Sequence, residues 1–327
     1  MSKLIRRNHN SDGVDRRGFL QCMAWAGTGI VWTIEAGVPA SRALGQTASA
    51  GQSPLSFVQI SDSHIGFNKP ANPDVAGTLQ IAIDRINSLE CRPSFVLHTG
   101  DLTHGAHAAE FDTVTEMMKG TRRDVFYVPG EHDTATDDGK QYMERLGAGT
   151  TGQGWYSFDH QGVHFVGLSN VMALEGLGKL GHAQVAWLKD DLSGRSNSTP
   201  IVIFAHIPLW TVYPQWGWGT EDGAEALSYL KRFGSVTVLN GHIHQVMQKM
   251  EGAVTFHTAM STAFPQPAPG SAAAPGPMKV PAERLQSVLG IAEVRFQPGQ
   301  HMLAIVDSSL AGGLRTEAAP QQPPQAA

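Results

Sequence analysis

The apolar residues of this chain alternate between short continuous runs and longer segments with helical spacing. Continuous runs bounded by polar or glycine residues predict buried strands. Five such runs lie at residues 55–60, 94–97, 124–128, 201–204 and 236–239. Apolar residues that recur every three or four positions predict amphipathic helices. These helices are expected at residues 73–89, 106–119, 182–192 and 221–233.

Strands separated by helices of this length favour βαβ units, and therefore an α/β fold with a largely parallel sheet covered on both faces. Further strands are predicted as a hairpin at residues 155–158 and 163–168, and as antiparallel or edge strands at 246–250, 254–258 and 286–296. The Pro/Ala/Gly-rich residues 265–281 predict an extended loop. The Ala/Pro/Gln-rich residues 311–327 predict a disordered tail.

Acidic residues and histidines directly follow each of the five buried strands. In chain order they are Asp62 and His64, Asp101, Glu131 and His132, His206, and His242 and His244. Because strand carboxyl ends in an α/β sheet line one crevice, these side chains are expected to converge. Singly, Asp62 or Asp101 is also compatible with a turn or helix cap, and His206 with a packed core histidine. A shared metal site accounts for all five strand ends together.

The residue types indicate which metals such a site would take. Aspartate and histidine with almost no cysteine suit borderline divalent ions such as Mn, Fe or Zn. Seven candidate ligands are more than one ion can bind while it keeps coordination positions open for water or substrate. They fit two ions that share a carboxylate, an arrangement used for phosphoryl displacement.

The ordered blocks Asp-x-His, Gly-Asp, Gly-x-His-Asp, His and Gly-His-x-His resemble the metallophosphoesterase (calcineurin-like phosphoesterase) family over about residues 55–258. The blocks at residues 61–64 and 241–244 also look like the branch that includes bacterial cyclic-nucleotide phosphodiesterases. The resemblance implies a four-layer α/β/β/α sandwich of mixed sheets. It also implies hydrolysis of a phosphate ester by in-line attack of a hydroxide that bridges two metal ions.

The resemblance also implies a role for each block. Asp62, His64 and His244 would bind one metal, and His206 and His242 the other. Asp101 would bridge the two ions. His132 would stabilise the transition state or protonate the leaving oxygen, which is general acid work suited to histidine.

Glu131 departs from the family pattern, which usually has asparagine at this position as a ligand of the second metal. A carboxylate can bind metal in the same way, but it adds negative charge near the phosphate. The metal preference and the substrate therefore stay open.

Three further residues are candidates for substrate contact. His104 follows Asp101 closely and either touches substrate or faces solvent. Trp210 and Tyr213 lie in the aromatic-rich residues 209–219. Their rings either stack on an aromatic part of the substrate or cover the sheet edge.

The N-terminus resembles an export signal. Arg16 and Arg17 follow a basic lead and precede an apolar run at residues 23–34, and small residues follow at 41–43. This pattern predicts a twin-arginine signal over residues 1–45, a linker at 46–54 and a phosphoesterase domain at 55–310. The protein is then expected to use the twin-arginine export machinery and to be periplasmic or secreted. The alternatives are an amphipathic helix or a retained membrane anchor.

Charge and cysteine content narrow the class of protein. Residues 1–45 hold six of the 24 basic and three of the 29 acidic residues, which leaves a formal charge of −8 on the remaining chain. Such a charge argues against binding to nucleic-acid polymers or to anionic membranes once the signal is removed. Cys91 is the only cysteine after residue 45, which excludes an intrachain disulfide.

The sequence therefore predicts a dinuclear hydrolase of a small-molecule phosphate ester, in the first place a phosphodiesterase. One alternative is a phosphomonoesterase or nucleotidase, whose more highly charged substrate Glu131 would disfavour. The other is a metal-loaded phosphate- or nucleotide-binding protein with weak catalysis.

Overall fold

The computed structural model describes residues 55–172, 174, 176–296 and 303–311, and the backbone of two strands nearer the N-terminus. Those two strands, Gly29–Glu35 (β1) and Val38–Leu44 (β2), pair antiparallel within a separate N-terminal unit. The predicted export signal, linker and tail otherwise lie outside the described residues. No helix in the described ranges is both long and apolar enough to cross a membrane.

The first sheet has five strands in the order β13-β12-β3-β4-β5. They are Leu55–Ile60 (β3), Phe95–His98 (β4), Asp124–Tyr127 (β5), Gly290–Phe296 (β12) and Ala304–Ser309 (β13). β3, β4 and β5 are parallel, β12 runs antiparallel to β3, and β13 runs antiparallel to β12. The parallel strands therefore end at the same edge of this sheet.

The second sheet has six strands in the order β10-β11-β9-β8-β7-β6. They are Tyr156–His160 (β6), Val163–Gly167 (β7), Ile201–Ala205 (β8), Val236–Asn240 (β9), Gln248–Glu251 (β10) and Val254–Thr258 (β11). The four inner strands are parallel, and the two edge strands pair antiparallel with their neighbours.

Within the described residues, six α-helices connect these strands. They are Val75–Asn87 (α1), Ala108–Met118 (α2), Lys140–Leu146 (α3), His182–Ser193 (α4), Gly223–Leu230 (α5) and Ala282–Val288 (α6). Short 3₁₀ turns follow at Lys119–Thr121, Glu131–Asp133 and Pro214–Trp216. Residues 265–281 contain no helix or strand.

The two sheets pack face to face, and helices cover their outer faces. Alternate residues of a strand point to opposite faces, so Phe57 joins the core between the sheets while Val58 packs under α1 and α2. The ring of Phe57 lies 5.3 Å from that of Phe165 on the opposite sheet, in an edge-to-face contact. α4 and α5 cover the outer face of the second sheet. The predicted four-layer α/β/β/α sandwich is confirmed.

The local predictions differ from the structure at four places. Residues 286–296 were expected to be one strand, but residues 286–288 end helix α6 and the strand starts at Gly290. Residues 282–288 combine good helix formers, and this favours a helical turn despite the neighbouring apolar residues. β11 is an inner strand parallel to β9, whereas an antiparallel or edge strand was expected. Helix α3 and strand β13 were not predicted.

Candidate metal centre

The polar residues at the five strand ends lie together at one edge of the sandwich. The first sheet contributes the residues after β3, β4 and β5, and the second sheet those after β8 and β9. Most of these side chains are buried, and Asp62 and His206 are fully so. The predicted convergence therefore brings together residues separated by up to 182 positions in the chain.

The backbone turns sharply where these residues leave their strands. Asp62, His64, Asp101, His242 and His244 have φ values of 55°, 42°, 54°, 72° and 55°. Positive φ is uncommon for residues other than glycine and persists where surrounding contacts enforce it. Here the Asp62 amide donates to the Gly100 carbonyl (3.0 Å) and the His64 amide to the Asp101 carbonyl (2.9 Å). The strained turns aim the side chains at a common centre.

Two glycines are required by the close approach of these segments. A Cβ atom on Gly130 would lie 2.1 Å from Asp101 Oδ1, and one on Gly241 would lie 2.0 Å from Ser61 Oγ. Both distances are far below van der Waals contact. The glycines in the Gly-x-His-Asp and Gly-His-x-His blocks therefore allow the loops to pack against the carboxylates.

The side chains form two groups of potential ligand atoms. In the first, His244 Nε2 lies 3.2 Å from Asp62 Oδ1 and 3.3 Å from His64 Nε2. In the second, Glu131 Oε2 lies 2.8 Å from His206 Nε2, and Glu131 Oε1 lies 2.8 Å from His242 Nδ1. The ligand atoms of each group lie within 4.8 Å of one another.

Asp101 lies between the two groups. Its Oδ2 atom is 3.4 Å from His64 Nε2 in the first group and 3.5 Å from His206 Nε2 in the second. Its other oxygen, Oδ1, accepts a hydrogen bond from the His132 amide (2.9 Å). One carboxylate oxygen is thus within reach of ions in both groups, as a bridging ligand requires.

The hydrogen bonds of the imidazoles fit metal binding. His206 Nδ1 donates to the Thr99 carbonyl (2.7 Å) and His244 Nδ1 to the Phe264 carbonyl (2.5 Å). In the neutral ring that binds a metal ion, these bonds place the proton on Nδ1 and leave Nε2 facing the centre as the ligand atom, as is usual for metal-binding histidine.

Several atoms that face the centre lack hydrogen bonds. Within the described structure, Glu131 Oε2, His206 Nε2 and both ring nitrogens of His242 are buried and make none. Their contacts are short but lack hydrogen-bond geometry. Buried polar atoms are normally paired, and acceptors that converge without donors suit cations. The residues present therefore fit two divalent metal ions.

Two of the carboxylates are held in their charged form. Burial raises the pKa of Glu131, but His242 and His206 outweigh it, so the pKa lies well below its usual value. Burial likewise raises the pKa of Asp62, and His244 and His206 bring it below its usual value. Both side chains are therefore anionic at neutral pH and can balance metal charge.

His132 lies beside the ligand groups. Its Nδ1 donates to the His104 carbonyl (2.8 Å), and its ring stacks on the His104 ring at 4.6 Å. Burial lowers the pKa of His132, but Asp101 and Glu131 outweigh this effect and raise it above the usual value. A histidine in this position can donate a proton.

The three predicted substrate contacts lie in different places. His104 borders the cluster, with its Nδ1 3.4 Å from His64 Nδ1. Trp210 packs against Phe256 at 4.9 Å, on the outer core of the second sheet. Tyr213 meets Trp216 edge-on at 5.2 Å. These contacts do not bring Trp210 or Tyr213 into the ligand groups, and that of Trp210 fits a ring that covers the sheet.

Sequence reasoning missed Asp133, a buried residue that supports the site. Its carboxylate accepts hydrogen bonds from the amides of Gly130 (2.9 Å), Leu102 (3.1 Å) and Thr103 (2.8 Å). It therefore ties the loop after β5 to the loop after β4. Its position directly after His132, in the Gly-x-His-Asp block, was the available signal.

Phe264 and Gln266 were also missed. The Phe264 ring stacks on His64 at 4.7 Å, and Gln266 Nε2 donates to the His242 carbonyl (2.9 Å). Both lie in or next to the Pro-rich segment. No pattern in that segment predicts contact with the site.

Known proteins match the part of the chain that carries this geometry. The model of the family described as calcineurin-like phosphoesterase matches residues 55–246, a span that contains every predicted metal ligand. A protein of Arcobacter nitrofigilis, named probable glycerophosphodiester phosphodiesterase GpdQ, is 24% identical over 221 residues, which cover 62% of this chain and 77% of that protein. A probable cyclic nucleotide phosphodiesterase of Rhodopseudomonas palustris is 26% identical over 158 residues, covering 47% of this chain and 57% of that protein.

A solved structure shows the same fold. A dimetal phosphatase from Danio rerio superposes with a TM-score of 0.57 at 15% sequence identity, covering 79% of this chain and 97% of that one. At this identity the likeness supports the fold alone.

Proposed function

This chain belongs to the calcineurin-like phosphoesterase family and is a metal-dependent phosphoesterase, and from that premise we propose that it is a phosphodiesterase with two divalent metal ions. The observation that carries the proposal is the pair of ligand groups with Asp101 between them. The similarity to a protein named as a glycerophosphodiester phosphodiesterase supports the same substrate class.

Each residue has a proposed task. Asp62, His64 and His244 would hold one ion, Glu131, His206 and His242 the other, and Asp101 would contact both. When bound, the ions (Mn, Fe or Zn) would neutralise phosphate charge and activate water for in-line attack.

His132 is the proposed general acid. It lies next to Glu131 in the chain, and the His104 carbonyl fixes its ring through Nδ1. Its Nε2 atom is then free to give a proton to the leaving oxygen of the ester, which would otherwise depart as an unstable alkoxide.

The charge of the ligand set favours a diester. Asp62, Asp101 and Glu131 would supply three negative charges and the attacking hydroxide a fourth, against the four positive charges of two divalent ions, so the loaded site would be neutral. A phosphodiester would add one negative charge to this neutral site. A phosphomonoester dianion would add about two at neutral pH and would therefore be less favoured. Glu131 thus supports the diester over the monoester.

Export remains part of the proposal. The twin arginines, the apolar run after them and the small residues that follow support a periplasmic or secreted location through the twin-arginine machinery. Cleavage near residue 45 and recovery of the protein from the periplasm would be the direct test. Retention in the cytoplasm would contradict this part of the proposal.

The test of activity is hydrolysis of a p-nitrophenyl phosphodiester and of the matching monoester. Each would be measured after chelation and again after addition of Mn, Fe or Zn, with the bound metal determined in parallel. We expect turnover to return with metal and to be faster on the diester. Faster turnover of the monoester would favour a phosphomonoesterase instead. Two bound metals without turnover on either ester would favour a binding protein.

Variants link the activity to the site. Asp101→Ala and His242→Ala should each lose metal-dependent turnover. His182→Ala, which removes an exposed histidine at the start of α4, is the matched control and should retain it. Unchanged activity in both site variants would refute the proposal.

A further inference from the structure

A cavity of about 370 Å³ opens beside the proposed general acid. Its walls come from the loop after β5, which contributes Glu131, His132 and Asp138, and from the loop after β7, which contributes Val171, Met172 and Leu174. The volume lies within the range of small-molecule sites. Because Glu131 and His132 form part of the wall, the cavity adjoins the ligand groups, and an alcohol attached to a phosphate bound there would extend into it.

The lining of the cavity is apolar on one side. Val171 is buried, Met172 is partly buried, and Leu174 is 38% exposed, one of the few large apolar side chains with this much exposure. The Met172 Cε atom lies 2.6 Å from where a Cβ on Gly139 would be. The thioether therefore packs closely against the turn that carries Asp138.

Apart from the proposed general acid His132, the charged residues that line the cavity are acidic. Glu131 and Asp138 supply carboxylates, and no lysine or arginine is among the described residues that line it. The basic residue nearest in sequence, Lys140, pairs with Glu144 along helix α3 (3.9 Å). The metal ions would engage the charge of Glu131, so an anionic group at the Asp138 end of the cavity would meet one like charge that no lysine or arginine of the described lining compensates.

Asp138 is well placed to act on a bound group. It has a φ of 55°, a conformation that aspartate and asparagine tolerate better than most residues. Its side chain is exposed. Its carboxylate can therefore face a ligand without first breaking an ion pair.

We propose that this cavity, the leaving-group pocket, binds the alcohol that departs from the phosphodiester, and that Asp138 and Met172 select against alcohols with a negative charge. Uncharged alcohols with an apolar part fit the side formed by Val171, Met172 and Leu174, and a cationic alcohol gains attraction from Asp138. The inference rests on the proposed phosphodiesterase activity, since a leaving alcohol exists only if an ester is cleaved.

The test uses three methyl phosphodiesters that differ only in the second alcohol. That alcohol is choline (cationic), 3,3-dimethylbutanol (its uncharged isostere) or glycolate (anionic). The metal-loaded full chain would be assayed for release of each alcohol by mass spectrometry, and kcat/KM compared. We expect the glycolate ester to be cleaved at least tenfold more slowly than the uncharged ester, and the choline ester at least as fast.

Two variants assign the selection to residues. Asp138→Asn keeps the shape and tolerates the positive φ, and it should lower the ratio of choline to dimethylbutyl ester about two- to fivefold, as expected for a solvent-exposed carboxylate. Met172→Ala should lower kcat/KM for both of these esters. It should also lower the ratio of their kcat/KM to that of the glycolate ester. Asp190→Asn, at an exposed position on α4, is the charge-matched control and should leave all ratios unchanged.

The outcomes separate the two proposals. Absence of turnover on all three diesters would overturn the phosphodiesterase proposal and this inference with it. Turnover with equal rates on the glycolate and dimethylbutyl esters would overturn the inference alone. If the ratio of kcat/KM for the choline ester to that for the dimethylbutyl ester is unchanged in Asp138→Asn, the role proposed for Asp138 is overturned.

Discussion

Replacement of His98 by glutamine should remove a defined part of the pH dependence of stability. His98 ends β4 and is fully buried. Its Nε2 lies 3.0 Å from Ser63 Oγ, and its Nδ1 has no hydrogen-bond partner in the described structure. Burial lowers the pKa of His98 from 6.5 to about 3. The folded protein therefore keeps this ring neutral at pH values where the unfolded chain binds a proton.

The direction and size of the effect follow from the two pKa values. Above pH 6.5 neither state binds the proton, and the residue contributes no pH dependence. Below it the unfolded state is favoured, so stability falls as the pH drops from 6.5 towards about 3. Between pH 7 and pH 5 the loss attributable to His98 is about 2 kcal/mol. A lower folded pKa would not change this figure, because the ring is already neutral at pH 5.

Urea unfolding of the wild type and of His98→Gln at pH 7, 6 and 5 would measure this loss. Chelator in every sample removes the pH dependence of metal binding, and the other titrating groups are common to both proteins. Glutamine keeps an amide donor near Ser63 but cannot titrate. The variant should be less stable at pH 7, yet lose about 2 kcal/mol less than the wild type on going to pH 5. Equal losses in the two proteins would refute the reasoning.

Three further outcomes are expected. Glu131→Asn removes a negative charge from the site and should raise the ratio of monoesterase to diesterase turnover, measured with the p-nitrophenyl pair. Gly130→Ala places a methyl group against the proposed bridging aspartate and should lower metal content and turnover at least tenfold. Asp191→Asn weakens the contact of Asp191 with the buried His164 (2.7 Å). It should lower the free energy of unfolding by about 1–3 kcal/mol at pH 7, measured by urea unfolding.

Each of these has a control or a contrary result. A monoester ratio that stays constant in Glu131→Asn would remove the charge argument for a diester. Gly194→Ala is the control for Gly130, because a methyl group at Gly194 would meet no atom within 4 Å and the φ of this residue is ordinary.

Burial raises the pKa of Asp191, but its hydrogen bonds with His164 and Ser157 outweigh this effect and lower the pKa below its usual value. Its contribution to stability should therefore be present at pH 7 and begin to decline as the pH falls below about 4. A contribution that is as large at pH 3 as at pH 7 would contradict this assignment.

The inner strands were predictable because their signal is local. A strand such as residues 236–239 is buried on both faces, so its residues are apolar or small in succession and not only at alternate positions. The arrangement in two packed sheets was not contained in any one run and came from the resemblance to a family. Strand β13 was missed although residues 302–306 form a short apolar run, because Val306 is exposed and the second half of the strand, Asp307, Ser308 and Ser309, is polar. It forms because β12 offers an edge to pair with.

The candidate site likewise contains residues that were predictable from the sequence and residues that were not. Residues one or two positions beyond a strand were predictable, because sheet geometry fixes where strand ends lie. Supporting contacts such as Gln266 to the His242 carbonyl depend on the path of a loop with no repeating pattern. The roles of Trp210 and Tyr213 could not be predicted for the same reason.

The division of the proposed metal ligands between two sheets has a consequence for how the protein would acquire its ions. Asp62, His64, Asp101 and Glu131 come from one sheet, and His206, His242 and His244 from the other, so neither sheet alone holds a complete ligand group. The ions would therefore cross-link the two halves of the sandwich, and chelation should allow the halves to separate at a lower temperature. Both ions would then bind only after the sheets have met. The metal that the protein carries would then be chosen by the compartment in which it folds, whatever the compartment in which it works.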